Sequence, residues 1–352
     1  MIQRTLFYFL LFLTTITAQS VVAENSEPLS NPNETKTDNP VNADDTGFIS
    51  QESLKWADEK QEKWSKDVVN IGSYIDSFMG DTETMQDTNK SYLKVYFDFD
   101  VSKVDGVEVK PRFRFSLDLP IAKKKLRLVI ESDLDQTQSI EERNNAQLPS
   151  TRSSQNDDLY ASFRYLIDSN SWERLSFDWG IKARWPPDPF TRARGVRRWD
   201  LSDYWDMVFS QEIFWYESKG LGTYTQFDFD RSFLNLEDYL LRITNALDWR
   251  EREEQFDLLE QVSLYQDIDD KRAVQYAVGF TGEHRKNHSI ITNYYTKVTY
   301  RRRLYKNWFF YELTPGIEFP REEDFNVNPF VFLRFEVLFS EDASRKLTTK
   351  LY

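Results

Sequence analysis

A long, strict alternation of apolar and polar side chains is the feature that most limits how this chain can fold. Residues 107–119 read VEVKPRFRFSLDL, and every second residue of this run is apolar. A period of two places the two sets of side chains on opposite faces of a β-strand. A half-buried strand of a soluble protein also alternates, but a strand between lipid and a wet lumen must alternate along its whole length.

The same alternation recurs from residue 91 to residue 339 and predicts an all-β fold. It indicates a closed antiparallel transmembrane β-barrel of about 12–14 strands, and the even strand number of bacterial barrels favours fourteen. Helix remains an alternative for residues 237–261. The predicted strands lie near residues 93–101, 107–119, 126–131, 158–167, 174–184, 190–199 (short and Arg-rich), 204–216, 221–231, 238–249, 256–266, 272–282, 289–302, 307–319 and 328–339.

The connections between these strands predict the orientation of the barrel. Running the first strand outward puts the long polar connections 135–157 and 320–328 outside the cell and the short turn 119–124 in the periplasm. Long loops outside and short turns inside are the usual asymmetry of bacterial barrels. The final strand, PFVFLRFEVLF, resembles the C-terminal signal that barrel assembly machinery reads, although residues 340–352 follow it as a predicted periplasmic tail.

Three segments are predicted before the barrel. Residues 1–23 hold a short apolar stretch behind Arg4 and small residues at the cleavage positions, which indicates a signal peptide, with an uncleaved anchor as the alternative. Residues 24–50 are polar and acidic and predict a disordered linker. Residues 51–80 show apolar side chains at three- and four-residue steps, which predicts one amphipathic periplasmic helix. This helix either packs at the barrel rim or acts as a plug or membrane-surface helix.

Composition excludes several classes of protein. The chain of 352 residues has no cysteine, so disulfides, Cys-ligated zinc and thiol nucleophiles are excluded. Its net charge of −13, from 45 basic and 58 acidic residues, argues against a nucleic-acid partner. Aromatic residues reach 16 %, which suits the two aromatic girdles of a membrane barrel. No cofactor is predicted.

Several motifs resemble those of a known group of proteins. The run YRRRLYKNWFFYELTPGIEFPRE at 300–322, followed by FLRFEVLF, is similar to a family of uncharacterised proteobacterial outer-membrane β-barrel proteins. PPDPFTRAR at 186–194 and SQEIFWYESKGLG at 210–222 are similar to the same family. The resemblance covers roughly residues 75–339. It implies the barrel fold and an outer-membrane location, and it implies no activity.

The faces predicted to point inward carry many charges, which must be hydrated or paired. One interpretation is a basic stripe that guides small anionic solutes, such as acidic sugars or phosphates. The other is a set of cross-strand ion pairs that fills and stabilises a narrow lumen. The candidate lumen-lining residues are Lys94, Asp98, Lys110, Arg112, Arg114, Asp118, Arg127, Glu131, Arg164, Asp178, Lys182, Arg184 and Arg194, with Arg174, Arg192 and Arg198 expected beside them.

The residues offer little for catalysis or metal binding. His284 and His288 fall in one predicted turn, and no serine is tied to either by the sequence, so neither a metal site nor a Ser-His-acid set is favoured. The carboxylate pairs Asp98/Asp100 and Asp228/Asp230 could perform acid–base work or bind Ca²⁺, but an interior ladder of salt bridges explains them as well.

The sequence therefore favours a monomeric outer-membrane barrel of a Gram-negative bacterium that acts as a narrow, porin-like conduit for small anionic solutes. A non-conducting structural or envelope-assembly barrel is the second hypothesis, and a lipid-modifying barrel enzyme is the third. The expected partners are outer-membrane lipid, the barrel assembly machinery and a small anionic solute. A soluble β-sandwich, with its aromatic faces packed on each other, is the structural alternative.

Overall fold

The computed structural model describes one all-β body. The described residues are 91–104, 106–119, 125–132, 140–143, 148–149, 159–183, 185–202, 204–233, 236–285, 288–305 and 308–340. The predicted signal peptide (1–23), linker (24–50) and amphipathic helix (51–80), and the tail beyond residue 340, lie outside these residues. In the described part of the chain, no helix has the length and apolar character needed to cross a membrane.

Fourteen antiparallel strands close into a barrel in which each strand pairs with its neighbours in sequence and β1 pairs with β14. Closure gives every strand two partners, so no edge is left unpaired. The strands are β1 Tyr92–Ser102, β2 Gly106–Asp118, β3 Leu126–Glu131, β4 Leu159–Leu166, β5 Arg174–Ala183, β6 Asp188–Ser202, β7 Trp205–Tyr216, β8 Gly220–Phe233, β9 Leu236–Arg250, β10 Gln255–Asp269, β11 Arg272–Arg285, β12 His288–Tyr305, β13 Phe309–Pro320 and β14 Asn328–Ser340.

The outer surface of the barrel is apolar and the inner surface is polar. Phe113 and Phe177 are 37 % and 39 % exposed on the outside, whereas Lys94 and Asp178 are 0 % and 1 % exposed on the inside. This is the opposite of a soluble fold, in which such phenylalanines would be buried together. The aromatic faces do not meet in a shared interior, so the β-sandwich alternative is wrong.

Two strand predictions differ from the structure in detail. The short Arg-rich strand predicted at 190–199 is the full-length β6, Asp188–Ser202. Residues 237–261, for which helix was an alternative, form most of β9 and the start of β10, joined by a turn at 251–254. Leu240 and Leu259 of these strands face the lumen, so apolar residues lie on both faces there and weaken the alternation.

The connection between β3 and β4 departs most from its prediction. It was placed outside the cell, but its described part lies inside the barrel. Residues Ile140–Arg143 form a short helix, α1, and Ile140 and Leu148 are 2 % and 0 % exposed. Both belong to one buried apolar cluster with lumen-facing residues of five strands, namely Tyr224, Ala246, Leu259, Tyr295 and Phe330. The connection folds inward because these residues offer an apolar surface. Its described residues, 140–143 and 148–149, are called the inserted segment below.

One lumen-facing glycine makes room for a buried ring of this cluster. Gly316 on β13 pairs with Phe330 on β14, and a Cβ atom at position 316 would lie 2.3 Å from the ring of Phe330. Phe330 is only 3 % exposed and belongs to the same buried cluster as Ile140 and Leu148, so its ring has little room to turn away. We expect Gly316→Ala to destabilise the barrel by about 1–3 kcal/mol.

Urea unfolding in detergent micelles, followed by tryptophan fluorescence, would measure this change. Ala183→Val is the matched control, because residue 183 is exposed on the outer surface, where an added group meets lipid only. Equal stability of Gly316→Ala and the parent would show that the ring does not occupy this space.

Candidate functional site: the luminal ion network

A carboxylate shared by two arginines is among the most buried groups of the lumen. Asp178 on β5 lies directly opposite Arg164 on β4 and Arg192 on β6. Arg164 donates from Nε to Oδ1 and from Nη2 to Oδ2, both at 2.9 Å, and Arg192 donates from Nε to Oδ2 at 2.9 Å. All three side chains are at most 5 % exposed. The single negative charge of Asp178 is therefore shared by two positively charged guanidinium groups.

The next carboxylate, Glu212 on β7, is surrounded by three guanidinium groups. Arg194 donates to its Oε2 from Nη2 at 2.5 Å, and Arg192 Nη1 lies 3.9 Å from the same oxygen. Arg143 of α1 donates to Oε1 at 3.3 Å, and its guanidinium carbon lies 3.6 Å from the centre of the Tyr224 ring. The cluster of Arg143, Arg164, Asp178, Arg192, Arg194 and Glu212 is called the arginine cluster below.

The arginine cluster carries a net positive charge and holds the inserted segment in place. Arg143 is the only member that comes from a connection, and its side chain is 5 % exposed. Its Nη1 atom is buried without a hydrogen-bond partner in the described residues, so it has a donor to offer to an anion or water in the lumen. Arginine suits such a site because its planar fork binds oxyanions.

A second network lies where the first and last strands meet. Asp98 on β1 accepts hydrogen bonds from Arg334 on β14, at 2.7 Å from Nε, and from Arg112 on β2, at 2.9 Å from Nε. Beside it, Glu336 on β14 accepts from Arg301 on β12 at 2.5 Å and lies 3.6 Å from Lys94. This network ties β1, β2, β12 and β14 together across the closure.

The remaining candidate residues are found at these positions. Arg114 and Glu131 form a pair at 2.6 Å between β2 and β3. Arg127 points inward and is 1 % exposed, Lys110 lies 3.0 Å from Glu108, and Lys182 lies 5.5 Å from the centre of the Tyr160 ring. Asp118 is in β2, but its side chain is outside the described residues, as is the whole of Arg184.

Charge is distributed unevenly around the lumen. The inward-facing basic residues of β2–β6 are Lys110, Arg112, Arg114, Arg127, Arg164, Arg174, Lys182, Arg192, Arg194 and Arg198, against the acidic residues Glu108, Glu131, Asp178, Asp188 and Asp200. The inward-facing acidic residues of β7–β11 are Asp206, Glu212, Asp228, Asp230, Asp238, Asp248, Asp257, Asp267 and Glu283, against the basic residues Arg242, Arg250 and Arg285. One wall of the described lumen is therefore basic and the facing wall acidic.

The carboxylate pairs noted in the sequence belong to this ladder of ion pairs. Asp230 accepts from Arg242 at 2.7 Å, and Asp228 accepts from Thr244 at 2.6 Å. Among the described residues, no group of three or more His, Asp or Glu side chains is arranged to hold a metal ion. Acid–base chemistry and Ca²⁺ binding therefore gain no support from these residues.

Both histidines lie at the β11–β12 hairpin, at one rim of the barrel. His284 Nδ1 is 2.8 Å from the hydroxyl of Ser289, its partner across the β11–β12 hairpin. The sequence did not predict this Ser–His contact. In the described part of the chain, no carboxylate hydrogen-bonds to His284, so the pair lacks the acid that orients the base in a Ser-His-acid triad.

Sequence reasoning missed several members of the site. Arg143 was not predicted because it lies in a connection without the alternation of a strand. Arg301, Glu312, Arg334 and Glu336 lie on predicted strands and follow the same alternation as the residues that were chosen. The alternation alone would have found these four.

The fold and the lumen together define a class of protein: a transmembrane β-barrel whose ionic lumen is enclosed by an apolar outer wall. No protein-family model and no curated protein matches the chain. Solved structures that are similar include a bacterial polysaccharide outer membrane secretin, with 8 % identity, a TM-score of 0.43 and coverage of 71 % of this chain and 99 % of that one. The outer membrane channel DcaP of Acinetobacter baumannii has 9 % identity, a TM-score of 0.39 and coverage of 71 % and 96 %. The KdgM porin has 6 % identity, a TM-score of 0.33 and coverage of 70 % and 99 %.

Proposed function

We propose that this barrel is a narrow, anion-selective conduit of the outer membrane. The observation that carries the proposal is the arginine cluster, where three guanidinium groups surround the single carboxylate of Glu212. Rings of basic side chains in a pore favour anions over cations. Small solutes with a carboxylate or phosphate group are the class that such a lumen attracts.

The distribution of charge supports the same conclusion. A solute that passes between a basic wall on β2–β6 and an acidic wall on β7–β11 experiences a field across its path. Low-dielectric walls focus such a field and raise the local concentration of the favoured ion. An anion is drawn toward the basic wall, whose side chains offer the planar, bidentate donors that suit carboxylates and phosphates.

The inserted segment narrows this path. Ile140 and Leu148 cluster with lumen-facing residues of β8, β9, β10, β12 and β14, none of which belongs to the basic wall. Arg143 extends from it to Glu212 and adds a positive charge beside Arg192 and Arg194. The inserted segment thus reduces the cross-section of the lumen at the level of Glu212, and it increases the positive charge at that same level.

An outer-membrane location and delivery by barrel assembly machinery are part of the proposal. The apolar outer wall needs lipid, and a closed barrel is one of only two structures that satisfy every backbone group in a bilayer. In the last strand, the alternate residues Phe335, Val337 and Phe339 face outward, in agreement with an assembly signal. Detergent-free extraction by carbonate would contradict the location.

Reversal potentials in planar lipid bilayers test the conduit. In a KCl gradient we expect the parent protein to favour chloride, and we expect Arg194→Gln to lower that preference. Glutamine keeps a hydrogen bond to Glu212 but removes one of the charges around it. An anion 4 Å from a unit charge interacts with it by about 4 kcal/mol at an effective dielectric of 20. Even a quarter of that energy would change the permeability ratio about fivefold.

The matched control is Arg302→Gln. Arg302 lies on β12 but points outward, so the same chemical change is made outside the lumen. The parent reversal potential should be retained in this variant. Equal shifts in both variants, or cation preference in the parent protein, would contradict an anion pathway through the arginine cluster.

A second candidate function is a non-conducting structural barrel. It is favoured by the close pairing of the lumen charges, since Arg164, Asp178 and Arg192 are almost completely buried. The same bilayer recordings separate the two functions. Absence of current steps at high protein concentration would support the structural barrel and remove the conduit.

A further inference from the structure

The lipid-facing surface of the barrel is not uniformly apolar. On β1–β5, β13 and β14, the outward side chains that the structure describes within the strands are aliphatic or aromatic, including proline and alanine. On β7–β10, polar side chains interrupt this surface. Five of these side chains are together called the polar face below: Gln211, Thr223, Thr225, Asn245 and Glu260.

The polar face lies within the depth of the hydrocarbon. On β9, Asn245 lies between the outward-facing Ile243 and Leu247, and the aromatic residues Tyr239 and Trp249 mark the two ends of the strand. Strand rise and tilt move the chain about 2.5 Å along the membrane normal per residue. Asn245 therefore lies roughly 10 Å below Trp249, well inside an apolar band about 25 Å tall.

Glu260 is the member of the polar face that lipid tolerates least. It lies directly opposite Asn245, and its outward neighbours on β10 are Leu258 and Val262. No hydrogen bond or ion pair joins Glu260 or Asn245 to another side chain in the described residues, whereas Gln211 and Thr225 bond each other at 2.8 Å. A carboxylate and an amide left unsatisfied in hydrocarbon are costly, so a polar partner on the outside would stabilise both groups.

We propose that the polar face is the contact between two copies of this chain. In a two-fold contact, a residue of one copy meets a residue of the other and the reverse contact follows by symmetry. The polar face suits such a contact because it holds both donors and an acceptor: the Asn245 amide of each copy can donate to the Glu260 carboxylate of the other. Lipid tails offer no donor, and the outward side chains of β1–β5, β13 and β14 are apolar enough to face lipid.

The proposal departs from the monomer that the strand pattern alone suggested, and it does not depend on conduction. The polar face lies on the outside of β7–β10, on the same strands whose inner side bears the inserted segment and the acidic wall. The two barrels would therefore touch through strands whose inner side carries the inserted segment.

Cross-linking of introduced cysteines in outer-membrane vesicles tests the contact directly, because the chain has no cysteine of its own. Val262 and Val331 are 42 % and 43 % exposed on the outer surface, the first beside Glu260 and the second on β14. With an oxidant, we expect Val262→Cys to form a disulfide-linked dimer and Val331→Cys to remain monomeric. Both variants leave Asn245 and Glu260 unchanged.

The polar groups themselves are tested by native mass spectrometry of the purified protein in mild detergent. We expect the parent to be dimeric and Glu260→Leu to raise the dissociation constant roughly ten- to hundredfold, with a smaller effect of Glu260→Gln. A folded, monomeric Glu260→Leu barrel supports the proposal. A monomeric parent, cross-linking of Val262→Cys to a different protein, or an unchanged dimer in Glu260→Leu would overturn it.

Discussion

Replacing Asp178 by alanine is expected to destabilise the folded barrel by about 3–5 kcal/mol. Asp178 is the carboxylate that Arg164 and Arg192 share, and it is 1 % exposed. Its loss leaves two buried guanidinium groups without their common counter-charge. Breaking a buried ion pair costs far more than the pair contributes, because the remaining charge stays desolvated.

The free energy of unfolding in urea, measured on detergent-folded protein, gives the size of this effect. Asp168→Ala is the matched control, because Asp168 also pairs with a basic residue, Lys125 at 2.5 Å, but is 82 % exposed in a short turn. The hydrogen bond from Lys125 to Asp168 raises the pKa of Lys125, yet solvent screens such a pair, so no measurable loss of stability is expected.

A variant with Asp178, Arg164 and Arg192 all replaced by leucine sharpens this prediction. It removes the acid and both bases together, so no buried charge of this trio is left without a partner. We expect it to recover most of the stability that Asp178→Ala loses. A triple variant less stable than Asp178→Ala would show that side-chain packing rather than charge explains the loss.

Replacing Arg143 by alanine is expected to release the inserted segment from the wall of the lumen. Arg143 holds the segment through Glu212 at 3.3 Å and through the ring of Tyr224 at 3.6 Å. Hydrogen bonds to charged groups contribute about 1.5–3 kcal/mol. The balance between the attached and released segment should therefore move roughly ten- to hundredfold toward release.

Single-channel recordings show this change as a larger conductance level that is rare in the parent and common in Arg143→Ala. Arg143→Lys is the informative comparison, since it keeps the charge but loses the planar fork and the stacking on Tyr224. It should lie between the parent and Arg143→Ala. An unchanged distribution of conductance levels in Arg143→Ala would show that Ile140 and Leu148 are enough to hold the segment.

The alternation of side chains predicted the strands well because the physical demand behind it acts on every residue. A transmembrane strand such as β2 must offer lipid one face and the lumen the other, so its register is readable from its own residues. Asp178 and Arg192 were thus placed correctly inside the barrel from their positions in β5 and β6. The same reasoning extends to Arg301 and Arg334.

The inserted segment could not be predicted in this way. Arg143 reaches Glu212, which is 69 residues away along the chain, through a connection without regular periodicity. Its position depends on the apolar surface formed by Tyr224, Ala246 and Leu259 inside the closed barrel. Such a surface exists only once the strands have paired. No local pattern in residues 135–157 therefore predicts that the connection folds into the lumen.

The position of Asp98 has a consequence for how the barrel is completed. Its two arginine partners come from β2, which follows β1 immediately, and from β14, which is 236 residues further along the chain. Until the last strand arrives, this carboxylate has only one of its two arginine partners and Lys94 lacks Glu336. Insertion of the final strand therefore gives both groups their partners in one event. A chain truncated before β14 should stop as an open sheet, in which the edges of β1 and β13 are unpaired and charged side chains lack their partners.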